Sequence, residues 1–276
     1  YAIRAQQAAK MMKDVDPSIE LVAAGTCNPG MPTYIDWDWT VLSYLGEYAD
    51  YISLHHYTQN PSGKPADILA ITNVIDKQIE DMAAVSRSVQ GKLRNETRAA
   101  LCFDEWNVWY KNRQMDGEGK AAPHLIEEVY NLEDALVVAG YLNSFIRHAD
   151  VVKIANIAQI VNVIAPILTR GDEMLLQSSF YAFEMMAKRR DGVSLRVAVD
   201  GPEFVSEAHG PSKVIDASAI LGDGQLHVFA VNRGVDELSE VRVALADASI
   251  TALSSGELLT GPDAKAANSF EEPDVV

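Results

Sequence analysis

The sequence feature that most constrains the fold is a junction that occurs twice, in which a helical segment runs through Ala-Asp into an apolar, strand-like run. The two copies are EYADYISLHHY (47–57) and RHADVVKIANI (147–157). Over roughly the first 190 residues, helical segments alternate with strand-like runs at 20–27, 51–57, 98–106 and 151–159. Alternation of this kind is typical of a parallel sheet with helices packed outside it. We therefore expect an α/β fold.

The helices between these runs are predicted from apolar spacing and from the residues at their ends. A helix is expected over 37–50, and apolar residues recur at helical spacing from 68 to 82, in a segment that Gly91 is expected to close. Asn131 is predicted to begin a further helix, whose last turn holds Arg147. A polar N-cap and a basic last turn match the two ends of the helix dipole.

After about residue 190 the pattern changes to short apolar runs separated by turn signals such as Gly-Asp-Gly and Gly-Val-Asp-Glu. Runs of this kind are typical of an antiparallel β-sandwich. The predicted strands of this part are 214–221, 225–233, 241–247 and 249–259.

The number of parallel strands predicts an incomplete barrel. Four such strands with helices on one side are half of an eight-stranded barrel, and that half has two unpaired edges. We therefore predict the C-terminal half of a (β/α)8 TIM barrel over 1–190, followed by an antiparallel β-sandwich over 191–276 that stops short of its last strand, within a longer protein. An open doubly wound sheet is the alternative, but GTCNPG (25–30) is a poor phosphate loop.

Composition argues against several kinds of partner. The 39 acidic and 23 basic residues give a formal net charge of -16, and no basic cluster offsets it. Nucleic acid and anionic membranes are therefore not expected to bind, whereas a neutral or cationic small ligand is. No apolar run approaches the roughly 20 residues that span a bilayer. Cys27 and Cys102 lie in strand-like runs and are expected to be buried, reduced thiols of a cytoplasmic protein without a metal or other cofactor.

Polar side chains follow several of the predicted strands at the point where each strand ends. In a (β/α)8 barrel, the carboxyl ends of the strands converge on the active site. The residues at these ends are His55, His56 and Tyr57, then Asp104 and Glu105, and finally Gln159. We expect them to meet at one mouth of the barrel.

The run LCFDEWNVWY (101–110) places Glu105 among large apolar side chains, which exclude water and strengthen charge interactions. Alternation along a strand sends Asp104 and Glu105 in opposite directions, and Asp104 is expected to be the structural one. His55 and His56 also point to opposite faces, which argues against their sharing a metal. Tyr57 could donate a hydrogen bond that favours the ionised form of a nearby carboxylate.

The remaining candidates are aromatic rings and amides. Trp106 and Trp109 fit a stacking platform for a sugar ring, and equally fit ordinary packing near strand ends. Gln159 and Asn162 suit the hydroxyl groups of a sugar, and equally suit hydrogen bonds within a loop.

Several of these segments resemble one enzyme family. FDEWNVWY, ISLHHY, NIAQIVNVIAPI, HLIEEVYNLEDALVVAGYLN and VDPSIELVAAG together closely resemble the α-L-arabinofuranosidases of glycoside hydrolase family 51, over essentially the whole chain. The resemblance implies a retaining glycoside hydrolase on a (β/α)8 barrel with a jelly-roll-like sandwich, assembled as a homo-oligomer. It also implies that terminal, non-reducing α-L-arabinofuranosyl residues are released from arabinose-containing oligosaccharides or polysaccharides.

The resemblance also assigns residue roles. Glu105 matches the family's nucleophile at the end of barrel strand seven, and Tyr57 matches a tyrosine that hydrogen-bonds to it. His55 matches the histidine of the same motif, Gln159 an amide that contacts arabinose, and Trp109 a wall of the sugar pocket. The family's acid/base glutamate, which follows an asparagine at the end of strand four, has no counterpart in this chain. The missing half of the barrel, possibly another chain, would have to supply it.

Three alternatives remain open at the level of sequence. One is a metal-dependent barrel hydrolase that uses His55 or His56 together with Asp104. A second is a non-catalytic carbohydrate-binding remnant or pseudoenzyme in which the sandwich domain binds glycan. A third is another retaining barrel glycosidase, such as a xylosidase or an endoglucanase.

Overall fold

The computed structural model describes residues 1–110, 121, 126–234 and 238–276 of the chain. They form a mixed α/β structure that divides into two compact units. The first unit comprises 1–59, 72–109 and 144–158, and the second comprises 60–71, 110–143 and 159–276. The predicted domain boundary near residue 190 stays a prediction.

The helices and strands alternate along the first part of the chain and give way to short strands later. The helices are α1 (Ala2–Val15), α2 (Asp36–Leu45), α3 (Pro65–Leu69), α4 (Thr72–Leu93), α5 (Leu132–Arg147) and α6 (Ser178–Ala187). The strands are β1 (Val22–Ala23), β2 (Tyr51–Thr58), β3 (Ala100–Val108), β4 (Val152–Ile157), β5 (Ile167–Arg170), β6 (Glu173–Leu176), β7 (Val193–Leu195), β8 (Glu203–Ser206), β9 (Gly210–Lys213), β10 (Ile215–Gly222) and β11 (Gln225–Asn232).

The first unit is built on a four-stranded parallel sheet in the order β1-β2-β3-β4. This confirms the parallel arrangement expected from the repeated junctions. Ile52 of β2 and Phe103 of β3 are fully buried. The ring of Phe145, from α5, packs 5.1 Å from that of Phe103 and 5.2 Å from that of Trp106. Trp106 is therefore a core residue and not a stacking platform for a sugar.

Two of the predicted helices differ at their ends. The helix expected over 37–50 ends at Leu45. Helix α4 continues through Gly91 to Leu93, so the prediction that Gly91 closes it is wrong. The chain leaves the helix at Arg94, which adopts the left-handed conformation (φ 60°) that a glycine would favour at a helix end.

The first predicted strand, 20–27, is reduced to the two residues of β1. Beyond it, the Gly25 N–H donates to Oγ of Ser53, and both the N–H and the hydroxyl of Thr26 donate to the carboxylate of Asp38 at the start of α2. These hydrogen bonds to side chains take the place of backbone hydrogen bonds between neighbouring strands, so β1 ends before them. Cys102 is buried as expected, and burial raises the pKa of its thiol to about 11, but Cys27 is exposed.

The described residues of the second unit form three small antiparallel sheets. Strands β5 and β6 pair, β8 and β9 pair, and β11-β10-β7 form a three-stranded sheet. The β10–β11 hairpin matches the strands predicted over 214–221 and 225–233, and its turn residues Asp223 and Gly224 both have positive φ, as a two-residue hairpin turn requires.

The prediction of strands over 241–247 and 249–259 is wrong. Both ranges lie within the described residues, and neither forms a strand. Val241 and Leu253 are exposed. An alternating apolar pattern forms a strand only where a neighbouring strand accepts its hydrogen bonds, and the described part of the second unit offers none to these runs. The helix predicted after Asn131 is confirmed as α5, with Asn131 and Asp134 capping each other's backbone N–H.

Candidate active site

The carboxyl ends of β2 and β3 lie side by side. In this parallel pair His55 is opposite Glu105, His56 is opposite Trp106, and Tyr57 is opposite Asn107. The residues that the sequence predicted at the ends of these two strands are therefore neighbours within one compact unit.

Strand β3 carries one extra residue at this point. From Ser53 to His55, β2 advances by two residues, while β3 advances by three, from Cys102 to Glu105. The pairing of β3 with β4 also shifts, between Phe103 and Trp106. A bulge of this kind places two residues of one strand opposite a single residue of its neighbour and breaks the alternation of side chains.

The bulge brings Asp104 and Glu105 to the same histidine, so the expectation that they point in opposite directions is wrong. Nε2 of His55 lies 3.2 Å from Oδ1 of Asp104, and Nδ1 lies 3.7 Å from Oε2 of Glu105. The side chains of Asp104 and Glu105 are 32% and 48% exposed, whereas Phe103 and Trp106 on either side are fully buried.

Tyr57 completes the surroundings of Glu105. Its hydroxyl donates a 3.0 Å hydrogen bond to Oε2 of Glu105. The ring of Tyr57 meets the ring of Trp109 edge to face, with centroids 5.1 Å apart, and the backbone N–H of Trp109 donates to the carbonyl of Thr58. A carboxylate, a phenol, an imidazole and an indole thus form one partly exposed cluster.

The electrostatics of the cluster act on His55. The close polar contact with Asp104 raises the pKa of His55, burial opposes that rise, and the charges of Glu105 and Asp104 add to it. The cluster therefore favours a protonated, positively charged ring.

Two buried amides that sequence reasoning missed hold the strand ends in place. Gln78 of α4 donates from Nε2 to the His55 carbonyl and lies 3.2 Å, through Oε1, from Nδ1 of His56. The ring of His56 thus faces the helix, opposite to that of His55, as predicted. Asn107 donates to the carbonyl of Ala158, just after β4. The sequence feature that could have identified Gln78 is its position among the regularly spaced apolar residues of α4.

The amides that follow β4 belong to the second unit. Gln159 is exposed directly after the strand region, and its role stays a prediction. Asn162 adopts a φ of 63°, and its side chain bonds the N–H and hydroxyl of Thr169. This matches the loop role that the sequence left open. Among the described residues, no group of three or more His, Cys, Asp or Glu side chains could hold a metal ion.

Comparison with known proteins identifies the family. The family described as the α-L-arabinofuranosidase C-terminal domain matches residues 104–276. The chain belongs to the α-L-arabinofuranosidases. It corresponds to the C-terminal portion of a family 51 enzyme, as the resemblance in the sequence indicated.

Two curated arabinofuranosidases illustrate the relationship. The intracellular exo-α-(1→5)-L-arabinofuranosidase 1 of Bacillus subtilis is 38% identical over 282 residues, covering 100% of this chain and 56% of that protein. A protein of the same description, without the numeral, from Halalkalibacterium halodurans is 40% identical over 239 residues, covering 84% of this chain and 48% of that protein. The chain thus spans about half the length of the curated arabinofuranosidases it matches.

Solved arabinofuranosidases have the same fold over this region. A family 51 α-L-arabinofuranosidase of Bifidobacterium longum superposes with a TM-score of 0.92 at 28% identity, covering 99% of this chain and 57% of that one. An α-L-arabinofuranosidase of Thermotoga maritima, solved as an arabinose complex, gives a TM-score of 0.78 at 26% identity, covering 100% of this chain and 55% of that one. None of the described helices of this arabinofuranosidase chain is long and apolar enough to cross a bilayer.

Proposed function

We propose that the protein carrying this chain is a retaining exo-acting α-L-arabinofuranosidase in which Glu105 is the nucleophile. The observation that carries this proposal is the contact of Glu105 with the Tyr57 hydroxyl on one side and the His55 ring on another. The Tyr57 hydroxyl orients the carboxylate that would attack carbon, and the His55 ring lies within ion-pair distance of it.

The reaction would proceed by two displacements. In the first, a carboxylate oxygen of Glu105 bonds to the anomeric carbon of a terminal arabinofuranosyl residue. The glycosidic bond breaks, and the leaving oxygen takes a proton from a carboxylic acid elsewhere in the protein. In the second, that group, now a carboxylate, removes a proton from water, which attacks the anomeric carbon and releases Glu105. The acid and the nucleophile should lie about 5–5.5 Å apart, as in other retaining glycosidases.

The architecture supporting this site would be a complete (β/α)8 barrel. Strands β1 and β4 are the two edges of the parallel sheet, and a barrel leaves no edge unpaired. We propose that residues 1–190 form the C-terminal half of this barrel and residues 191–276 part of a jelly-roll-like sandwich. The rest of the protein, in the same chain or another, would supply the remaining strands and the acid/base glutamate, within a homo-oligomer.

The substrate and location follow from the relatives. Their names specify exo action on α-(1→5)-linked arabinofuranosyl residues, an intracellular location, and in one solved structure bound arabinose. We propose that this protein acts in the cytoplasm on terminal arabinofuranosyl residues of arabinose-containing oligosaccharides or polysaccharides. Trp109, beside Tyr57, would form a wall of the sugar pocket, and Gln159 would contact the sugar.

The proposal is tested by replacing the nucleophile in the complete natural protein. Glu105→Ala should abolish hydrolysis of an aryl α-L-arabinofuranoside, and azide, which can occupy the space left by the carboxylate, should restore turnover and give an arabinofuranosyl azide of inverted configuration. Glu80→Ala, which removes an exposed carboxylate from α4, is the matched control and should leave activity unchanged. Near-normal activity of Glu105→Ala, or an inactive Glu105→Ala that azide does not rescue, would reject Glu105 as the nucleophile.

A further inference from the structure

The His55 ring lies between two carboxylates contributed by adjacent residues of β3. Its Nε2 faces Asp104 at 3.2 Å, and its Nδ1 faces Glu105 at 3.7 Å. A neutral imidazole carries one N–H and one lone pair, so it can donate to only one of two carboxylates. Only the protonated ring presents an N–H to each carboxylate, and at 3.7 Å its contact with Glu105 is an ion pair and not a hydrogen bond.

Asp104 has the geometry of a partner for His55 rather than of a turn cap. Its Oδ1 is shielded from solvent and has no hydrogen-bond partner among the described residues, so its 3.2 Å contact with Nε2 of His55 is an ion pair. A strand-end acid that caps a turn accepts backbone N–H groups, and none of the described backbone bonds reaches this atom. The contact with His55 is therefore the interaction that accounts for its position.

The surroundings of His55 are simple enough to assign its charge. Within the part of the chain that the structure describes, Asp104 and Glu105, both on β3, are the charged groups that act on the ring. Gln78 of α4 is neutral, and its hydrogen bond to His55 is made to the backbone carbonyl and not to the ring. The ring is 24% exposed, so water screens these charges only in part.

We propose that Asp104 is a positioning residue that acts through His55: it keeps the ring positively charged and directs the Nδ1–H toward Glu105, at ion-pair distance. This proposal rests on the proposed role of Glu105. When Glu105 becomes an ester in the glycosyl-enzyme, it loses its negative charge. Asp104 is then the one charged group, among those that act on His55, that keeps the proton on the ring through the second displacement.

The first test does not depend on activity. In the complete natural protein, the titration of His55 is followed by NMR of its ring Cε1–H, with His55→Asn assigning the signal. Asp104→Asn should move the His55 titration to lower pH, whereas Asp14→Asn, the same chemical change on the exposed face of α1, should not. An unchanged titration in Asp104→Asn would overturn the proposal whatever the substrate proves to be.

The second test uses a double-mutant cycle on kcat/KM for an aryl α-L-arabinofuranoside. Asp104→Asn should lower kcat/KM on the order of tenfold at neutral pH, the size expected for one lost charge interaction at close range, and should move the acid limb of the profile to higher pH. In a His55→Asn background the same change should have little further effect. Equal losses in both backgrounds, or a loss that does not vary with pH, would overturn the proposal.

The two tests separate this inference from the proposed function. If the protein does not hydrolyse arabinofuranosides but Asp104→Asn shifts the His55 titration, the proposed substrate is wrong and the coupling of Asp104 to His55 stands. If Glu105→Ala is inactive and rescued by azide but the cycle is additive, the nucleophile stands and the role of Asp104 is rejected. Asp104→Ser, which also removes the charge, replaces Asp104→Asn if thermal unfolding shows that the latter is unstable.

Discussion

The Tyr57 hydroxyl on β2 donates a 3.0 Å hydrogen bond to Oε2 of Glu105 on β3. The two residues belong to neighbouring parallel strands, and the register that places His55 opposite Glu105 also brings Tyr57 within reach. The bond therefore fixes the orientation of a carboxylate that is about half exposed. It links the geometry of the sheet directly to the proposed chemistry.

Removal of the Tyr57 hydroxyl should impair catalysis without unfolding the protein. A hydrogen bond to a charged group contributes about 1.5–3 kcal/mol, so Tyr57→Phe should lower kcat/KM by about ten- to a hundredfold. Tyr51→Phe is a matched control, because Tyr51 begins the same strand and its hydroxyl donates to Glu20 at 2.9 Å. Steady-state kinetics of the complete protein should show a loss only for Tyr57→Phe. Equal activities of the two variants would contradict this role.

An ion pair between an exposed lysine and a buried glutamate in the second unit should contribute to stability. Nζ of Lys265 lies 2.6 Å from Oε1 of Glu133, whose side chain is 0% exposed. Lys265 is 57% exposed, but its removal would leave the buried Glu133 carboxylate without its cation, so Lys265→Met should lower the free energy of unfolding by about 2 kcal/mol at neutral pH. Denaturant unfolding measures this change.

The control for that change is a pair at the surface. Nζ of Lys188, the residue that caps the end of α6, lies 3.0 Å from Oε1 of Glu184 with both side chains exposed, and such pairs contribute about 0.5 kcal/mol or less. Lys188→Met should therefore have little effect. Similar losses for the two variants would mean that water screens the Lys265 pair as well.

Asp67 should make the stability of the protein depend on pH in the acid range. The hydroxyls of Ser206 and Ser62, with backbone N–H groups, lower the pKa of Asp67 to about 2 from its ordinary value of 3.8. Because the folded-state pKa is the lower one, the stabilisation is present above about pH 4 and is lost as the pH falls through about 2.

Asp67→Asn should therefore flatten the decrease in the free energy of unfolding over this pH range, as measured by urea unfolding at a series of pH values. Asp172→Asn, in an exposed turn, should leave the slope unchanged. A slope that is the same in wild type and Asp67→Asn would show that other carboxylates dominate the acid response.

Two glycines in the first unit should respond in opposite ways to the same substitution. A Cβ at Gly25 would lie 2.1 Å from the carbonyl oxygen of Ser53, whereas a Cβ at Gly91 in α4 would meet nothing within 4 Å. Gly25→Ala should lower the free energy of unfolding by about 3 kcal/mol through overpacking. Gly91→Ala should raise it by about 0.5–1 kcal/mol through reduced backbone entropy. Thermal unfolding of both variants checks the two signs.

The sequence predicted the parallel sheet and the candidate cluster for identifiable reasons. Apolar runs that follow helices through Ala-Asp define β2 and β4, and polar residues directly after apolar runs identify His55, Tyr57 and Glu105. Both signals are local, because they depend on residues adjacent in the chain. The sequence also placed Trp109 near the cluster. It did not predict the packing of Trp109 against Tyr57, because an indole suits both sugar stacking and ordinary packing.

The features that sequence missed are set by neighbours distant in the chain. The extra residue in β3 has no marker of its own, because only the pairing with β2 and β4 defines it. Gln78 is a polar residue on an apolar helix face, and only its contact with the His55 carbonyl explains it. The apolar alternation at 241–247 predicts a strand, but a strand also needs a partner, which a local pattern cannot supply.

The bulge in β3 also limits how this site could be transferred to another protein. If Asp-Glu were copied onto a regular strand of a different scaffold, one of the two carboxylates would point to the opposite face of the sheet. A working graft would have to reproduce the irregular backbone of the donor strand together with the register of both flanking strands. The spacing of the two acidic groups depends on main-chain geometry, so recombination could transfer it only by moving β2, β3 and β4 together.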